Sequence, residues 1–417
     1  MEKPSNRRWT EQYPELGTGF ISYEDSISPE FYELEREAIF ERAWLNVGRV
    51  EELPRNGTYF TKELPPARAS VIVSRDMEGR IRAFHNVCRH RGNKLIWEGT
   101  PSDETCGTAR QFVCKYHGWR YGLDGQCLHV HQERQFFDLK KSELGLAPIH
   151  CETWAGFIFV NLAPTPRQTL KAYLGPMLGA LEGYPFHKMT ECYAFRAENK
   201  SNWKIFMDAF QEYYHVPPLH TQQLGPGWLQ NPEAEFEAAH YQLDGPHRMV
   251  STSGPRKHQL PAKFHYPSER LTRSGNQGPW DAADIGAERP GVNPAGVEPW
   301  GIDNFQIFPN LEILIYERGC YLAYRYWPTS HNTHRFEGYL YFVPARNARE
   351  RVAHEYASIL FKEYALQDAG TLDGTQMGLE SRAFNQFPLG DQEILVRHFH
   401  KSVGDWVQAY RREVAER

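Results

Sequence analysis

Two short segments gather the side chains best suited to binding metal: Cys88-Arg-His90 and Cys114-Lys-Tyr-His117, with twenty-three residues between them. Each cysteine has a histidine close behind it, at a spacing of two in one segment and three in the other. Structural zinc sites usually group ligands of one kind, a cysteine pair followed by a histidine pair. Here each segment supplies one of each. That mixture suits a 2Fe-2S cluster in which Cys88 and Cys114 hold one iron and His90 and His117 hold the other. Imidazoles in place of two thiolates raise the reduction potential to about −150 to +300 mV, so such a cluster accepts electrons from a low-potential carrier. Zinc, or unrelated core cysteines beside surface histidines, are the competing accounts, and a pattern repeated in two loops weighs against both. The remaining cysteines, Cys106, Cys127, Cys151, Cys192 and Cys320, lack such partners and are expected to be buried or half-buried free thiols.

A second constellation lies in NWKIFMDAFQEYYHVPPLH, residues 202–220. At about 100° per residue the periodicity predicts one helix through His215, with Trp203, Phe206, Met207, Phe210 and Tyr214 on one side and Asp208, Glu212 and His215 on the other. Pro217 and Pro218 break it before His220. Two imidazoles near a helix end, joined by a distant carboxylate, make a two-histidine, one-carboxylate Fe(II) site with positions open for dioxygen. Without the first constellation, Asp208, Glu212 and His215 would equally suit a solvated helix face.

The elements that must position these groups divide the chain. Segments such as ASVIVSR and AGFIFVNL, broken by Gly, Pro and Asp, make residues 47–165 a β-rich domain whose Cys/His segments are loops between strands. The second domain takes residues 1–46 and 166–417. Its first helix is N-capped by Ser28 and opened by Pro29, with Phe31, Leu34, Ala38 and Ile39 at helical spacing. Residues 222–300 are rich in Gly, Pro and charge and predict a long surface loop or lid. FQIFPNLEILIYERG, CYLAYRYWP and FEGYLYFVP predict consecutive antiparallel strands, and residues 347–382 and 391–412 predict helices. The expected class is α+β.

Composition narrows the function classes. A chain of 417 residues with a net charge of −5 carries no basic excess for nucleic acid. The N-terminal MEKPSNRRWT lacks an apolar signal run, and no stretch reaches the length of a membrane span, so a cytoplasmic location is expected. Seven scattered cysteines fit reduced thiols and metal ligands.

NVCRHRGNKL and FVCKYHGWRYGLDG resemble the two ligand loops of a Rieske domain, and Gly118 and Trp119 also match the second loop. The intervening SDETCGTAR makes that segment slightly long, as a surface insertion would. NWKIFMDAFQEYYHVPPLH resembles the iron-binding helix of large (alpha) subunits of Rieske non-heme iron aromatic-ring-hydroxylating oxygenases, and the likeness runs over nearly the whole chain. It implies a helix-grip catalytic domain, with an antiparallel sheet flanked by helices, and Fe(II) on His215, His220 and a carboxylate eight residues before a Q-x-G-L segment. QMGL begins at Gln376, which points to Asp368; Asp373 is the competitor at the wrong spacing. Glu212 stands where the family usually has Asp, and Asp208 where it often has Asn. Both are assigned catalytic support, and Ala209, Tyr213 and Val216 correspond to pocket-lining positions.

The resemblance further implies a homotrimer, with or without a small beta subunit. In it, His117 of one copy would lie beside Glu212 of the next, because a globule with a radius of gyration of roughly 22 Å can hold its two centres tens of ångströms apart. Electrons would come from NADH through a flavin reductase, a ferredoxin or both, since this chain has no Gly-rich dinucleotide fingerprint. Arg89, Arg91, Lys94, Lys115 and Arg120 would dock an acidic carrier or serve only as solvated charge. The expected reaction is hydroxylation or oxidative demethylation of an apolar, aromatic or cyclic small molecule, as in aromatic hydrocarbon catabolism. The absence of a doubled acidic run in the late segment favours monooxygenation over cis-dihydroxylation by a ring dioxygenase. A non-catalytic Rieske electron carrier would need the cluster loops but not His215, His220 and Asp368.

Overall fold

The computed structural model describes residues 8–99, 103–220, 237–253, 265–275, 277–281 and 283–416. The chain forms two compact units, Phe40–Tyr173 and Met1–Ile39 with Leu174–Arg417.

The first unit is built on a seven-stranded antiparallel sheet. Its strands are β1 (Leu45–Arg49), β2 (Thr58–Leu64), β3 (Ala69–Arg75), β4 (Ile81–His85), β5 (Cys106–Thr108), β9 (Pro148–Trp154) and β10 (Phe157–Asn161), in the order β1-β10-β9-β4-β3-β2-β5. Between β5 and β9 a separate three-stranded sheet, β6 (Gln111–Val113), β7 (Arg120–Gly122) and β8 (Cys127–His129), carries the second Cys/His loop. Cys106 lies in an edge strand paired with Phe60, so the insertion contributes to the sheet. The expectation for the spare thiols fails twice, because Cys106 and Cys192 are exposed.

The second unit centres on another seven-stranded antiparallel sheet: β11 (Glu191–Asn199), β12 (Ala238–Asp244), β13 (His247–Ser253), β14 (Trp300–Ile307), β15 (Leu311–Tyr316), β16 (Cys320–Ser330) and β17 (Thr333–Phe342), ordered β11-β17-β16-β15-β14-β13-β12. The expected loop or lid at 222–300 is therefore corrected: residues 238–253 form a hairpin closed by Gly245 and Pro246 and add two strands to this sheet. Gly245 has φ +57°, the left-handed conformation such a tight turn requires. The rest of that expectation falls partly outside the described residues, at 221–236 and 254–264.

Five helices matter for the site: α1 (Pro29–Glu35), α2 (Trp203–Ala209), α3 (Val216–Leu219), α4 (Ala348–Glu380) and α5 (Ile394–Ala415). Ser28 caps α1 by accepting from the backbone N–H of Phe31 at 3.0 Å. A fully buried ion pair between Glu35 and Lys204 joins α1 to α2, so loss of either partner would strand the other's charge. Helix α4 buries Ala357, Phe361, Ala365, Asp368, Leu372 and Gln376, a stripe of steps of three and four that places one carboxylate among apolar neighbours. Gln376 on this stripe accepts from the backbone N–H of Asn202 at 2.8 Å, fixing α4 to the start of α2. The single helix expected through His215 is also corrected. Helix α2 ends at Ala209, and α3 begins after His215 with Pro217 and Pro218 in its first turn, where a missing N–H costs no helical bond. Tyr214, expected inside, is 77% exposed.

Candidate metal centres

In the first unit both Cys/His loops fold the same way. The backbone N–H of Gly92 donates to the carbonyl of Cys88 at 3.0 Å, and that of Gly118 to the carbonyl of Cys114 at 2.9 Å. Both glycines have positive φ, +74° and +71°, which lets each loop turn sharply behind its cysteine. Buried Asn86, which the sequence did not single out, accepts from the backbone N–H groups of Leu95 and Ile96 and donates to the carbonyl of Ile96, holding the end of the first loop. Cys88 and Cys114 are buried in a core with Trp119, Tyr121 and Leu95.

The histidine rings of the two loops meet at 4.6 Å between centroids. His90 stacks on Trp119 at 5.0 Å, and its Nδ1 is buried without a hydrogen-bond partner among the described residues. The hydroxyl of Tyr121 lies 3.2 Å from Cys88 Sγ, and Asn93 Nδ2 lies 3.7 Å from Cys114 Sγ. Burial pushes the Cys88 thiol above its ordinary pKa and pulls that of His90 below, so the histidine is held neutral, as a ligand must be. Two buried thiols and two imidazoles, one of each per loop, fit a mixed-ligand 2Fe-2S cluster. Of the nearby cations, Lys94 pairs with Glu63 at 2.8 Å and Lys115 with Glu104 at 2.5 Å, while Arg91 lies over the ring of Tyr116.

In the second unit His215, His220 and Asp368 offer ligand atoms that all lie within 4.8 Å of one another. Nε2 of His215 lies 3.5 Å from Asp368 Oδ1, and Nε2 of His220 lies 3.2 Å from the same oxygen. That oxygen makes no hydrogen bond among the described residues despite its burial. The opposite ring nitrogens explain this. His215 Nδ1 meets Glu212 Oε1 at 2.5 Å, and His220 Nδ1 meets Gln367 Oε1 at 2.7 Å, so both Nδ1 atoms act as donors and both Nε2 lone pairs face Asp368. Three lone-pair-bearing atoms converging on one buried point, each imidazole held from behind by a side-chain oxygen, is a donor set for a divalent metal. Glu212 raises the pKa of His215 by hydrogen bonding and by its charge, aided by Asp368 and opposed by burial. Asp373, the alternative carboxylate, is exposed on α4.

Asp208 is not on a solvated face. Its Oδ2 meets His400 Nε2 at 3.1 Å, and His400 Nδ1 meets Asp25 Oδ2 at 2.7 Å. These two carboxylates overcome burial and push the buried imidazole up to about 10, so it is charged at neutral pH. Ala209, Tyr213 and Val216 are half-buried, and Tyr213 packs against the cluster that contains Tyr241 and Leu395. Sequence reasoning missed Gln367 and His400. Gln367 was in reach as the neighbour of Asp368, whereas nothing local marks His400.

Comparison with known proteins assigns a family to each part of the chain. The Rieske [2Fe-2S] domain family matches residues 43–148, and the family of ring hydroxylating alpha subunits (catalytic domain) matches residues 186–409. The glycine betaine monooxygenase oxygenase subunit of Pseudomonas aeruginosa is 34% identical over 194 residues, covering 46% of this chain and 43% of that protein. The chloroplastic choline monooxygenase of Spinacia oleracea is 34% identical over 200 residues, covering 46% and 43%. The match thus spans less than half the length of either relative. The solved structure of a quaternary ammonium Rieske monooxygenase, described for carnitine oxidation by gut microbiota and inter-subunit electron transfer, superposes with a TM-score of 0.73. It does so at 19% identity, over 97% of this chain and 99% of that one, which is likeness of fold.

Proposed function

Because the chain belongs to the ring hydroxylating alpha subunit family, with a Rieske [2Fe-2S] domain ahead of its catalytic domain, we propose that it is the terminal oxygenase of a multicomponent monooxygenase. The observation that carries this reading is the convergence of His215, His220 and Asp368 on one buried point. Iron held there by His215, His220 and Asp368 would supply a redox centre for the activation of dioxygen. The chain's own residues do the positioning. Glu212 and Gln367 fix the two imidazoles, the α4 stripe fixes Asp368, and Cys88, His90, Cys114 and His117 hold the cluster that delivers electrons. Those electrons come from NADH through a flavin reductase, with or without a ferredoxin. Head-to-tail packing of three copies brings His117 of one copy beside Glu212 of the next.

The substrate we propose is a small quaternary ammonium compound, hydroxylated or oxidatively demethylated, in place of the apolar aromatic expected from sequence. The relatives' names support this, and so does the sheet face turned toward α4. Glu312 and Tyr324 are direct cross-strand partners on that face, with Tyr316 and Tyr326 beside them on the same strands. Tyr316 packs on Phe361 of α4 at 5.0 Å, and Tyr364 on His220 at 4.8 Å. Electron-rich ring faces attract a trimethylammonium group.

The test is turnover by enzyme loaded with cluster and iron and driven by NADH and a reductase. The panel is a carboxylated trimethylammonium compound, its tert-butyl isostere, in which carbon replaces the cationic nitrogen, and a monocyclic aromatic hydrocarbon. Product and matched oxygen uptake are expected with the ammonium compound alone. Turnover of the hydrocarbon or the isostere in its place would overturn the substrate class. A loaded chain holding two irons in place of about three would overturn the oxygenase reading in favour of an electron carrier.

A further inference from the structure

The segment between α2 and α3 carries Glu212 and His215 yet has no regular structure of its own, so something else must hold its path. Two buried side-chain amides from strand β14 do so. Asn304 Nδ2 donates to the carbonyl of Phe210 at 2.7 Å, and Gln306 Nε2 donates to the same carbonyl at 3.1 Å. Helix ends leave carbonyls to be satisfied by whatever lies beyond. Here the partners come from a strand nearly a hundred residues away, two residues short of Glu212.

The amides are themselves fixed. Asn304 spends its other N–H on Glu312 Oε1 at 2.7 Å, and Glu312 Oε2 accepts from Tyr326 at 2.9 Å. Gln306 Oε1 accepts from Arg248 Nη2 at 3.3 Å, and Arg248 Nε donates to Gln211 Oε1 at 2.5 Å. Gln211 Nε2 closes the set on Asp208 Oδ1 at 3.1 Å. Asn304, Gln306, Arg248, Glu312 and Gln211 are each at most 1% exposed, so no water competes for these bonds. The backbone of Phe210 and the side chain of Gln211 are therefore both anchored to the sheet immediately before Glu212.

We propose that Asn304 and Gln306 are positioning residues for the mononuclear metal site: by capturing the Phe210 carbonyl they set the path of residues 210–215 and so aim His215 Nε2 at Asp368. The proposal rests on reading His215, His220 and Asp368 as metal ligands.

The experiment titrates protein that keeps its Rieske cluster but has been stripped of mononuclear iron with Co(II), reading affinity and the cobalt d–d spectrum, for wild type, Gln306→Met and Asn304→Asp. Thermal stability and the Rieske EPR signal are recorded alongside. Ile313→Ala, on the opposite face of the neighbouring strand β15, serves as a destabilised control. Cobalt affinity is expected to fall about 10-fold or more in Gln306→Met and Asn304→Asp, as loss of groups that orient ligands commonly costs, with the Rieske signal intact. The control should lose stability but keep its cobalt. Wild-type affinity and spectrum in both variants would overturn the proposal, as would an equal loss in the control. If Asn304→Asp does not fold, Gln306→Met decides alone. Failure of the metal reading itself has a different signature: wild type then takes up no cobalt there, or takes it up equally after Asp368→Ala.

Discussion

Glu212 grips His215 twice: Oε1 meets ring Nδ1 at 2.5 Å, and Oε2 accepts the backbone N–H at 3.1 Å. One carboxylate thus fixes both the position of the residue and the rotation of its ring, which leaves Nε2 one direction to face. Glutamate can do this across three residues of irregular backbone because its two oxygens are equivalent acceptors.

Glu212→Gln should lower product formation by about 10- to 100-fold without deleting a ligand. A glutamine has one acceptor oxygen, so one of the two contacts to His215 is lost, along with the charge proposed to link it to His117 of a neighbouring copy. Single-turnover stopped-flow of pre-reduced enzyme would show slowed cluster reoxidation with both centres loaded. Wild-type kinetics would reduce Glu212 to an ordinary polar contact.

His215→Ala or Asp368→Ala should abolish turnover and mononuclear iron while leaving the visible and EPR signatures of the cluster unchanged, since the cluster loops belong to the other compact unit. Asp373→Ala, at an exposed position on α4, should behave as wild type. Iron analysis beside the activity assay distinguishes the two carboxylates.

Tyr121→Phe removes the hydroxyl 3.2 Å from Cys88 Sγ. A hydrogen bond to sulfur favours the reduced, more negative cluster, so the midpoint potential should fall. A net bond of about 1 kcal/mol corresponds to roughly 40 mV for a one-electron couple. Redox titration followed by EPR measures it, and an unchanged potential would mean that the hydroxyl does not reach the cluster sulfur.

His400→Gln should destabilise the protein in a pH-dependent way. The folded pKa of His400, about 10, lies above the ordinary 6.5 because Asp25 and Asp208 outweigh burial. The folded state therefore binds a proton that the unfolded chain gives up. The stabilisation is complete below about pH 6.5 and is lost progressively as pH rises to about 10. Thermal melts should show the largest gap between wild type and variant near pH 6, closing towards pH 10. A gap that is constant with pH would mean that the ring contributes packing alone.

The chain's local patterns point by themselves to metal-binding chemistry. The ligand types and spacings at Cys88, His90, Cys114 and His117 are legible because each pair sits within one short loop. Asp368 is legible only through the family resemblance, from its place eight residues before the QMGL segment, because a single carboxylate on a long helix carries no local signature of its own. Strands β14 to β17 are legible from their alternating and apolar runs. Tertiary structure alone decided the rest, because it depends on groups far apart in sequence. Helical periodicity continues through His215, yet α2 stops at Ala209, where Asn304 and Gln306 capture the carbonyl of Phe210. Asp208 sits at a position that periodicity makes solvent-facing, and His400, nearly two hundred residues away, covers it. The hairpin at 238–253 is hidden within polar, turn-rich sequence, because β12 and β13 gain their stability from pairing into a sheet completed some sixty residues later. The pairing of Glu312 with Tyr324 is a cross-strand register, and register is fixed only when the sheet forms.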